Sequence, residues 1–290
     1  LFSILEEKEI QIRGFKVRLP LDIQFIFTSN PEDYTNRGTI VTPLKDRIGS
    51  QILTHYPESI EIAKKITEQE SKLDSKVISK IHIPEIARDI IEQISFEARE
   101  SELVDKKSGV SARMSITSLQ NLVSSAERRM IINNEKKTSI RMSDFNSVIS
   151  SINGKVELVY EGEEEGAEQV SYNLISDAVK SLFNKYFPKI EKLSKPGEET
   201  PYDSLLEWFS QKQLVIGDSL NDNEYEKLLL EIIDARTIID KYVKDLDDND
   251  RFFFIEFILW GLESFNKLSI LRTNNGIEFK DPFNNFINKI

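Results

Sequence analysis

Three polar residues lie where the sequence pattern predicts phosphate chemistry. Asn30 follows the apolar, β-prone segment 22–27, so we expect it at the carboxyl edge of a sheet, where α/β proteins bind nucleotides. Arg47 lies in a short predicted helix around residues 43–48, and a guanidinium group there can neutralise charge that develops on a phosphoryl group. Arg113 is predicted at the start of a helix, where the helix dipole disfavours a cation unless an anion compensates.

Each of these residues also has a simpler interpretation. Asn30 can form an Asx-turn before Pro31. Arg47 can pair with Asp46 or with another carboxylate of the same helix. Arg113 can be an ordinary surface arginine in a first helical turn. The residue types alone leave both interpretations open.

The composition excludes several classes of active site. The chain has no cysteine, which excludes disulfides, thiolate zinc sites and cysteine nucleophiles. The two histidines, His55 and His82, lie at a predicted strand end and in a predicted loop, which does not favour a histidine metal site. Neither the P-loop pattern G-x-x-x-x-G-K-[ST] nor an apolar strand that ends in Asp-Glu occurs in the sequence.

An incomplete calcium-loop pattern precedes the last long apolar segment. An EF-hand loop carries oxygen ligands at positions 1, 3, 5 and 12 and a glycine at position 6. The corresponding residues here are Asp245, Asp247, Asn249 and Glu256, and Asp250 occupies the glycine position. We therefore interpret these acidic residues as the N-terminal cap of the next helix, and we predict no metal site.

Acidic charge is concentrated in the second half of the chain. The 290 residues include 38 Lys and Arg and 49 Asp and Glu, for a formal charge of −11. Residues 153–290 hold 27 acidic and 16 basic residues, whereas residues 1–152 hold 22 of each. This asymmetry predicts a domain boundary and argues against a protein that coats nucleic acid.

The apolar segments are too short to predict a membrane protein. A membrane span needs about 18 apolar residues, and Glu256 interrupts the longest candidate, residues 252–262. The sequence also shows no secretory signal. We therefore expect a cytoplasmic protein.

The first 57 residues are predicted to form a small α/β part. Apolar and polar residues alternate in Glu9–Ile12 and in Phe15–Leu19, on either side of Arg13-Gly14, which is typical of a β-hairpin. Two further strands are predicted at residues 22–27 and 50–56.

Helices dominate the remaining sequence. We predict a four-helix bundle over residues 58–152, an acidic, glycine-containing linker over 153–169, and an acidic helical domain over 170–290. The predicted helices lie at 58–72, 84–101, 115–133, 143–152, 170–187, 201–212, 222–246 and 250–268.

Several segments of residues 1–160 resemble an AAA+ ATPase. They are the helix-like run Leu1–Glu7, the predicted hairpin, Phe25-Ile26-Phe27-Thr28-Ser29-Asn30-Pro31-Glu32 and Leu44-Lys45-Asp46-Arg47-Ile48. Their order is similar to the branch that contains the magnesium chelatase I subunit and the MoxR proteins, and Ile94–Ser101 resembles the chelatase I lid. The resemblance implies a mainly α fold with a small α/β part, namely the C-terminal portion of an AAA+ core, a four-helix lid and an additional C-terminal helical domain.

The resemblance also implies a role for each of the three polar residues. Asn30 matches sensor 1, which positions the attacking water, and Arg113 matches the sensor-2 arginine of the lid. Arg47 matches the arginine finger, which acts in trans on the neighbouring subunit's nucleotide, and Arg37 is the alternative for this role. The intact protein is then expected to bind ATP and Mg²⁺ in a ring, most often a hexamer, and to remodel or load metal into a partner that carries a von Willebrand A domain.

The start of the sequence suggests that the chain is the C-terminal part of a longer polypeptide. Leu1 lies inside a helix-like run that no N-cap residue precedes. A P-loop and magnesium-binding carboxylates are then expected upstream. This chain alone is expected to hold neither ATP nor Mg²⁺ and to be inactive.

Other functions stay open. The chain can be a non-enzymatic helical adaptor or regulatory module. A transcription-regulator ATPase shares the hairpin position, but the stretch between Glu6 and Leu21 is too short for a loop that contacts a sigma factor. The aromatic-rich helix at 250–268 can be a buried core helix or a docking surface for a partner. The basic pairs Arg128-Arg129 and Lys136-Lys137 are interpreted as a solvated helix face, without nucleic-acid binding.

Overall fold

A computed structural model gives the conformation of most of the chain. It describes residues 9–18, 24–28, 48–190, 199–244, 246–273 and 276–282. The chain forms two compact units, Leu1–Tyr56 and Pro57–Ile290, and the division lies beside the predicted boundary at residue 57. The described residues are mainly helical, with small sheets.

The first unit contains the predicted hairpin. Strand β1 (Glu9–Ile12) pairs antiparallel with β2 (Phe15–Arg18). Arg13 and Gly14 between them have φ values of 48° and 88°, as in the type I′ turns whose twist matches a two-residue hairpin. The Arg18 guanidinium donates to the Glu9 carboxylate at 2.8 Å. The prediction of a hairpin at this position is confirmed.

Two other predicted strands are absent from the described part of the first unit. Residues 24–28 form no strand and their side chains are exposed, with Ile26 83% accessible to solvent. Residues 50–56 likewise form no strand and are exposed. Both segments have β-prone side chains, but a strand also needs a neighbouring strand for its backbone hydrogen bonds, and no described residues pair with them.

The second unit contains eleven helices among its described residues. They are α1 (Ile60–Glu70), α2 (Ser75–Ile78), α3 (Glu85–Glu100), α4 (Arg113–Ile132), α5 (Ile149–Asn153), α6 (Tyr160–Glu165), α7 (Ala167–Tyr186), α8 (Asp203–Gln211), α9 (Asp222–Leu230), α10 (Ile233–Tyr242) and α11 (Arg251–Ser264). Two 3₁₀ segments, Met142–Val148 and Asp248–Asp250, precede α5 and α11. The predicted helix at 222–246 is two helices, because the backbone leaves the helical region at Ile232, where φ is −94° and ψ is 73°.

Two small sheets complete the second unit, and neither was predicted. Strands β3 (Ile81–His82) and β4 (Thr138–Ser139) pair in parallel. Strand β7 (Gly276–Lys280) lies between β5 (Leu214–Gly217) and β6 (Ser269–Thr273), and both pairings are antiparallel.

Helix α11 lies at the centre of the second unit. Ten consecutive residues, Phe253–Leu262, are buried. Helices α7, α9 and α10 and the 3₁₀ segment Met142–Val148 all contact α11. The Phe257 ring lies 5.9 Å from the Phe183 ring of α7, measured between centroids. The interpretation of this segment as a buried core helix is confirmed, and the interpretation as an exposed docking surface is wrong.

The predicted linker at 153–169 is wrong, because this segment is folded and tied to earlier residues. It contains α6 and the first turn of α7. The backbone N–H of Val159 donates to the Leu103 carbonyl at 3.1 Å, and that of Asp105 donates to the Glu157 carbonyl at 2.9 Å. The acidic residues that suggested a linker form the exposed face of the short helix α6.

The helical part is therefore one unit, and the predicted division into a lid and a separate C-terminal domain is also wrong. Helix α7 packs along α3, and the Ser181 hydroxyl donates to the Glu97 carboxylate at 2.6 Å. One continuous apolar core runs from Ile81 to Phe279. No helix in the described ranges is both long and apolar enough to cross a bilayer.

The contact between α7 and α11 yields a stability prediction at Gly261. A Cβ atom added to Gly261 would overlap the Phe183 ring, so Gly261→Ala should lower the free energy of unfolding by roughly 1–3 kcal/mol despite the helix preference of alanine. The control is Gly154→Ala at the end of α5, where the nearest atom would be 3.5 Å from the new Cβ. Urea unfolding measures both variants, and equal midpoints would contradict this packing.

Candidate functional site

The structure describes one of the three residues predicted to handle phosphate. Asn30 and Arg47 lie outside the described residues, as does the alternative Arg37. Arg113 is the first residue of α4 and is exposed. Its guanidinium forms no ion pair with any carboxylate in the described ranges. Arg113 therefore lies at a helix N-terminus without a carboxylate partner among the described residues, and its position relative to Asn30 and Arg47 lies outside what the structure describes.

Burial of the next two residues fixes the position of Arg113. Met114 and Ser115 are buried, and the Ser115 and Ser95 hydroxyl oxygens lie 2.7 Å apart. Because Ser95 belongs to α3, this hydrogen bond holds the first turn of α4 against α3. The backbone N–H of Arg113 donates to the Ser111 hydroxyl oxygen at 3.3 Å. The start of α4 is thus anchored, while the arginine side chain faces solvent.

A buried ion pair lies at the other end of α4. Arg129 pairs with Asp144, and both side chains are 4% accessible. Arg129 also donates to the Ser139 carbonyl at 2.7 Å, and Asp144 accepts from the Ser125 hydroxyl at 2.9 Å. The interpretation of Arg128-Arg129 as a solvated face is therefore correct only for Arg128, which is exposed. Ala126 and Met130, on the same side of α4 as Arg129, are buried because this side faces the core.

A second buried network joins α9 and α11 to Arg141, the residue that caps the 3₁₀ segment Met142–Val148. The Arg141 guanidinium donates to Asp222 at 2.7 Å and to the Leu220 carbonyl at 2.9 Å. It also lies 4.0 Å from the centroid of the Tyr225 ring, a distance typical of a cation–π contact. The Tyr225 hydroxyl donates to Glu256 at 2.6 Å. Four charged or polar side chains are thus linked across three elements.

Glu256 is the buried end of this network. Besides the Tyr225 hydroxyl, its carboxylate accepts the backbone N–H of Met142 at 3.0 Å. Complete burial raises the pKa of Glu256 to about 7, while the Tyr225 hydroxyl and the Arg141 charge act in the opposite direction. Ionisation of this carboxyl group is unfavourable because it is buried, and the group faces the core. It therefore cannot serve as the last ligand of a calcium loop.

The remaining residues of the calcium-loop pattern have local roles. Asp247 caps the 3₁₀ segment by accepting the backbone N–H of Asn249 at 2.9 Å. A carboxylate oxygen of Asp250 lies 2.5 Å from the Nε2 atom of His82, a residue of β3. Asp245 lies outside the described residues. No group of metal-ligating side chains occurs within the described ranges.

A cavity with a volume of about 420 Å³ lies between α1, α3 and α4. Charged side chains line it, including Lys64, Glu85, Arg88 and Glu92. Lys64 lies 2.6 Å from both Glu85 and Asp89. Partial burial favours the neutral amine, but the two carboxylates raise the pKa of Lys64 to about 12. A lining of this kind suits a charged ligand.

The comparisons with known proteins identify no relative. No protein-family model, no curated protein and no solved structure matches this chain.

Sequence reasoning missed the buried charged residues, although signals for two of them are present. Glu256 interrupts a long apolar run, and a single carboxylate in such a run indicates a buried acid with a specific partner. Arg129 lies three residues after Ala126 and one before Met130, on the apolar face of a predicted helix. Glu92 carries no comparable signal, because its burial depends on helices that pack against α3.

The raised pKa of Glu256 predicts a pH-dependent stability. Burial raises its pKa from the ordinary glutamate value of 4.5 to about 7 in the folded chain, so the stability that it contributes is fully present below about pH 4.5 and is lost as the pH rises through 7. Glu256→Gln keeps an acceptor oxygen but cannot ionise. The stability of the variant relative to the wild type should therefore be about 2.5 kcal/mol greater at pH 8 than at pH 5.

Urea unfolding at pH 5, 6.5 and 8 measures this difference. The exposed Glu164→Gln variant of α6 serves as the control, and its stability should follow that of the wild type at every pH. A constant difference between Glu256→Gln and the wild type over this range would show that Glu256 does not titrate as described.

Proposed function

We propose that this chain is the C-terminal part of an AAA+ ATPase similar to the magnesium chelatase I subunit and the MoxR proteins. The intact protein would couple ATP hydrolysis in a ring to remodelling of a partner or to metal loading. The observation that carries the proposal is Arg113, an exposed arginine without a carboxylate partner among the described residues, anchored at the N-terminus of a long helix. An arginine in this position is suited to bind a phosphate group.

The order of the elements supports the proposal. The hairpin β1–β2 precedes the division at Tyr56 and Pro57, and a helical unit follows it. The family that the chain resembles has the same order, with a hairpin in the nucleotide-binding core and a helical lid that carries the sensor-2 arginine. Helices α1, α3 and α4 and the segment 142–153 would form this lid.

The residues of this chain fit only part of an ATP site. Arg113 would bind phosphate of its own subunit's nucleotide, Asn30 would orient the attacking water, and Arg47 would act on the neighbouring subunit's nucleotide. The P-loop and the acidic strand end that hold phosphates and magnesium do not occur in the sequence. The proposal therefore assigns those groups to upstream polypeptide, together with the ligands of Mg²⁺.

The proposed partners follow from the same resemblance. The intact protein would assemble as a ring of identical subunits, with six as the expected number. It would act on or with a protein that carries a von Willebrand A domain. Neither nucleic acid nor a membrane is part of the proposal, and we place the protein in the cytoplasm.

A non-enzymatic helical adaptor is the second candidate. Two observations favour it: the sequence has no P-loop, and residues 24–28 and 50–56 form no strands of a nucleotide-binding sheet. In that case the helical unit alone would carry the function, and Arg113 would be a surface residue.

The first prediction from the proposal concerns the purified 290-residue chain. It should not hydrolyse ATP, because no residues of the sequence form a phosphate cradle or hold magnesium. A coupled assay of phosphate release measures turnover. Steady turnover by a preparation free of contaminating ATPases would contradict the assignment to the C-terminal part of the enzyme.

The second prediction separates a cis arginine from a trans arginine in rings of the intact protein. Arg47→Ala subunits mixed with subunits that carry a disabled P-loop should regain turnover, since a P-loop-disabled neighbour supplies the missing finger. Arg113→Ala subunits in the same mixture should not, since each remaining site is then defective within its own subunit. The matched control is Arg128→Ala, an exposed arginine of the same helix α4, which should keep wild-type turnover. Equal behaviour of the two mixtures would contradict the assigned roles, full turnover by Arg113→Ala alone would contradict a sensor-2 role, and absence of turnover in wild-type rings would favour the adaptor.

A further inference from the structure

The cavity between α1, α3 and α4 has a buried carboxylate in its wall. Glu92 of α3 is 3% accessible and lines the cavity. The hydroxyl groups of Thr67 on α1 and Ser115 on α4 lie near its carboxyl group and favour its ionised form. The cavity, at about 420 Å³, is within the size range of small-molecule sites.

Glu92 forms no ion pair within 4.0 Å with a lysine or arginine of the described ranges, and the charges of Arg99 and Lys64 act on it only from a greater distance. Lys64 lines the same cavity but lies 2.6 Å from the carboxylates of both Glu85 and Asp89. The Arg88 guanidinium lies 3.9 Å from Glu85. A buried carboxylate normally pairs with a cation, since an isolated buried charge is costly. Asp144, which is also buried, pairs with Arg129, whereas Glu92 forms no such ion pair with a described residue.

We propose that the cavity binds an organic cation, a primary ammonium or guanidinium group, whose charged end pairs with Glu92. The exposed carboxylates of Glu61 and Glu68, which also line the cavity, would attract such a ligand to the opening. Ile91 and Leu119 supply apolar wall for an alkyl chain. The source of the cation is either a free amine or a lysine side chain of another protein. This proposal is independent of the proposed ATPase function, because none of its residues is assigned a role in ATP binding or hydrolysis.

The protonation of Glu92 gives the site a distinctive pH dependence. Burial raises the pKa of Glu92, while the hydroxyls of Thr67 and Ser115 and the charges of Arg99 and Lys64 act in the opposite direction. The ionised form of Glu92 binds a cation and the protonated form does not. Amines stay protonated below about pH 10, so the affinity should rise with pH as Glu92 loses its proton.

The experiment titrates the purified chain with two amine probes, followed by NMR chemical shifts. Nα-acetyl-lysine methylamide represents a lysine side chain of a protein, and cadaverine represents a free amine. Glu92→Gln keeps the size of the side chain but removes its charge, and we expect at least about a tenfold loss of affinity. Glu100→Gln, an exposed residue at the end of the same helix, should bind both probes as the wild type does.

Each result decides the proposal. Binding that strengthens with pH in the wild type and is lost in Glu92→Gln supports it, and the tighter probe identifies the source of the cation. Absence of binding of both probes at millimolar concentration, or equal affinity in the wild type and Glu92→Gln, would overturn it. If Glu92→Gln does not fold, by circular dichroism, the wild-type pH profile decides: affinity that does not change with pH would contradict a role of Glu92.

Discussion

Helix α11 is apolar on all sides, and the architecture of the second unit depends on that property. A helix with a single apolar stripe can remain at a surface, but one without a polar side must be surrounded. The surrounding elements are α7, α9, α10 and the 3₁₀ segment Met142–Val148. They come from both sides of the acidic stretch 153–169, so the chain cannot divide there into two domains. The helices before and after this stretch must share one core.

The polar contacts inside this core fix how its elements fit together. Glu256 accepts hydrogen bonds from the backbone of Met142 and from Tyr225, and each bond sets the position of one element against α11. Arg129 and Asp144 do the same for α4 and the 3₁₀ segment. Desolvation offsets much of the attraction in a buried ion pair, but loss of one partner leaves an unpaired charge that is costly. Such contacts discriminate between one packing and its alternatives more than they add to stability.

Most helices and the hairpin could be predicted because their signals are local. The period of apolar residues marks the helices, and Arg13-Gly14 marks the turn between two alternating segments. That residues 57–290 form a single unit could not be predicted. An acidic segment such as 153–169 has the same composition in a flexible linker and on the exposed face of a helix. In the candidate site, the helix start at Arg113 could be predicted within two residues. Glu92 could not, because its burial depends on α1 and α4, which are distant in sequence.

The contact between His82 and Asp250 has a consequence for synthesis on the ribosome. The two residues are 168 positions apart, and α11 begins directly after Asp250. At about 5–20 residues per second, the 168 residues that separate them take roughly 8 to 34 seconds to synthesise. The core around α11 can close only after that time, because α11 is made after all the helices that contact it. The apolar faces of α7, α9 and α10 that contact α11 stay open to water and to other nascent chains until then.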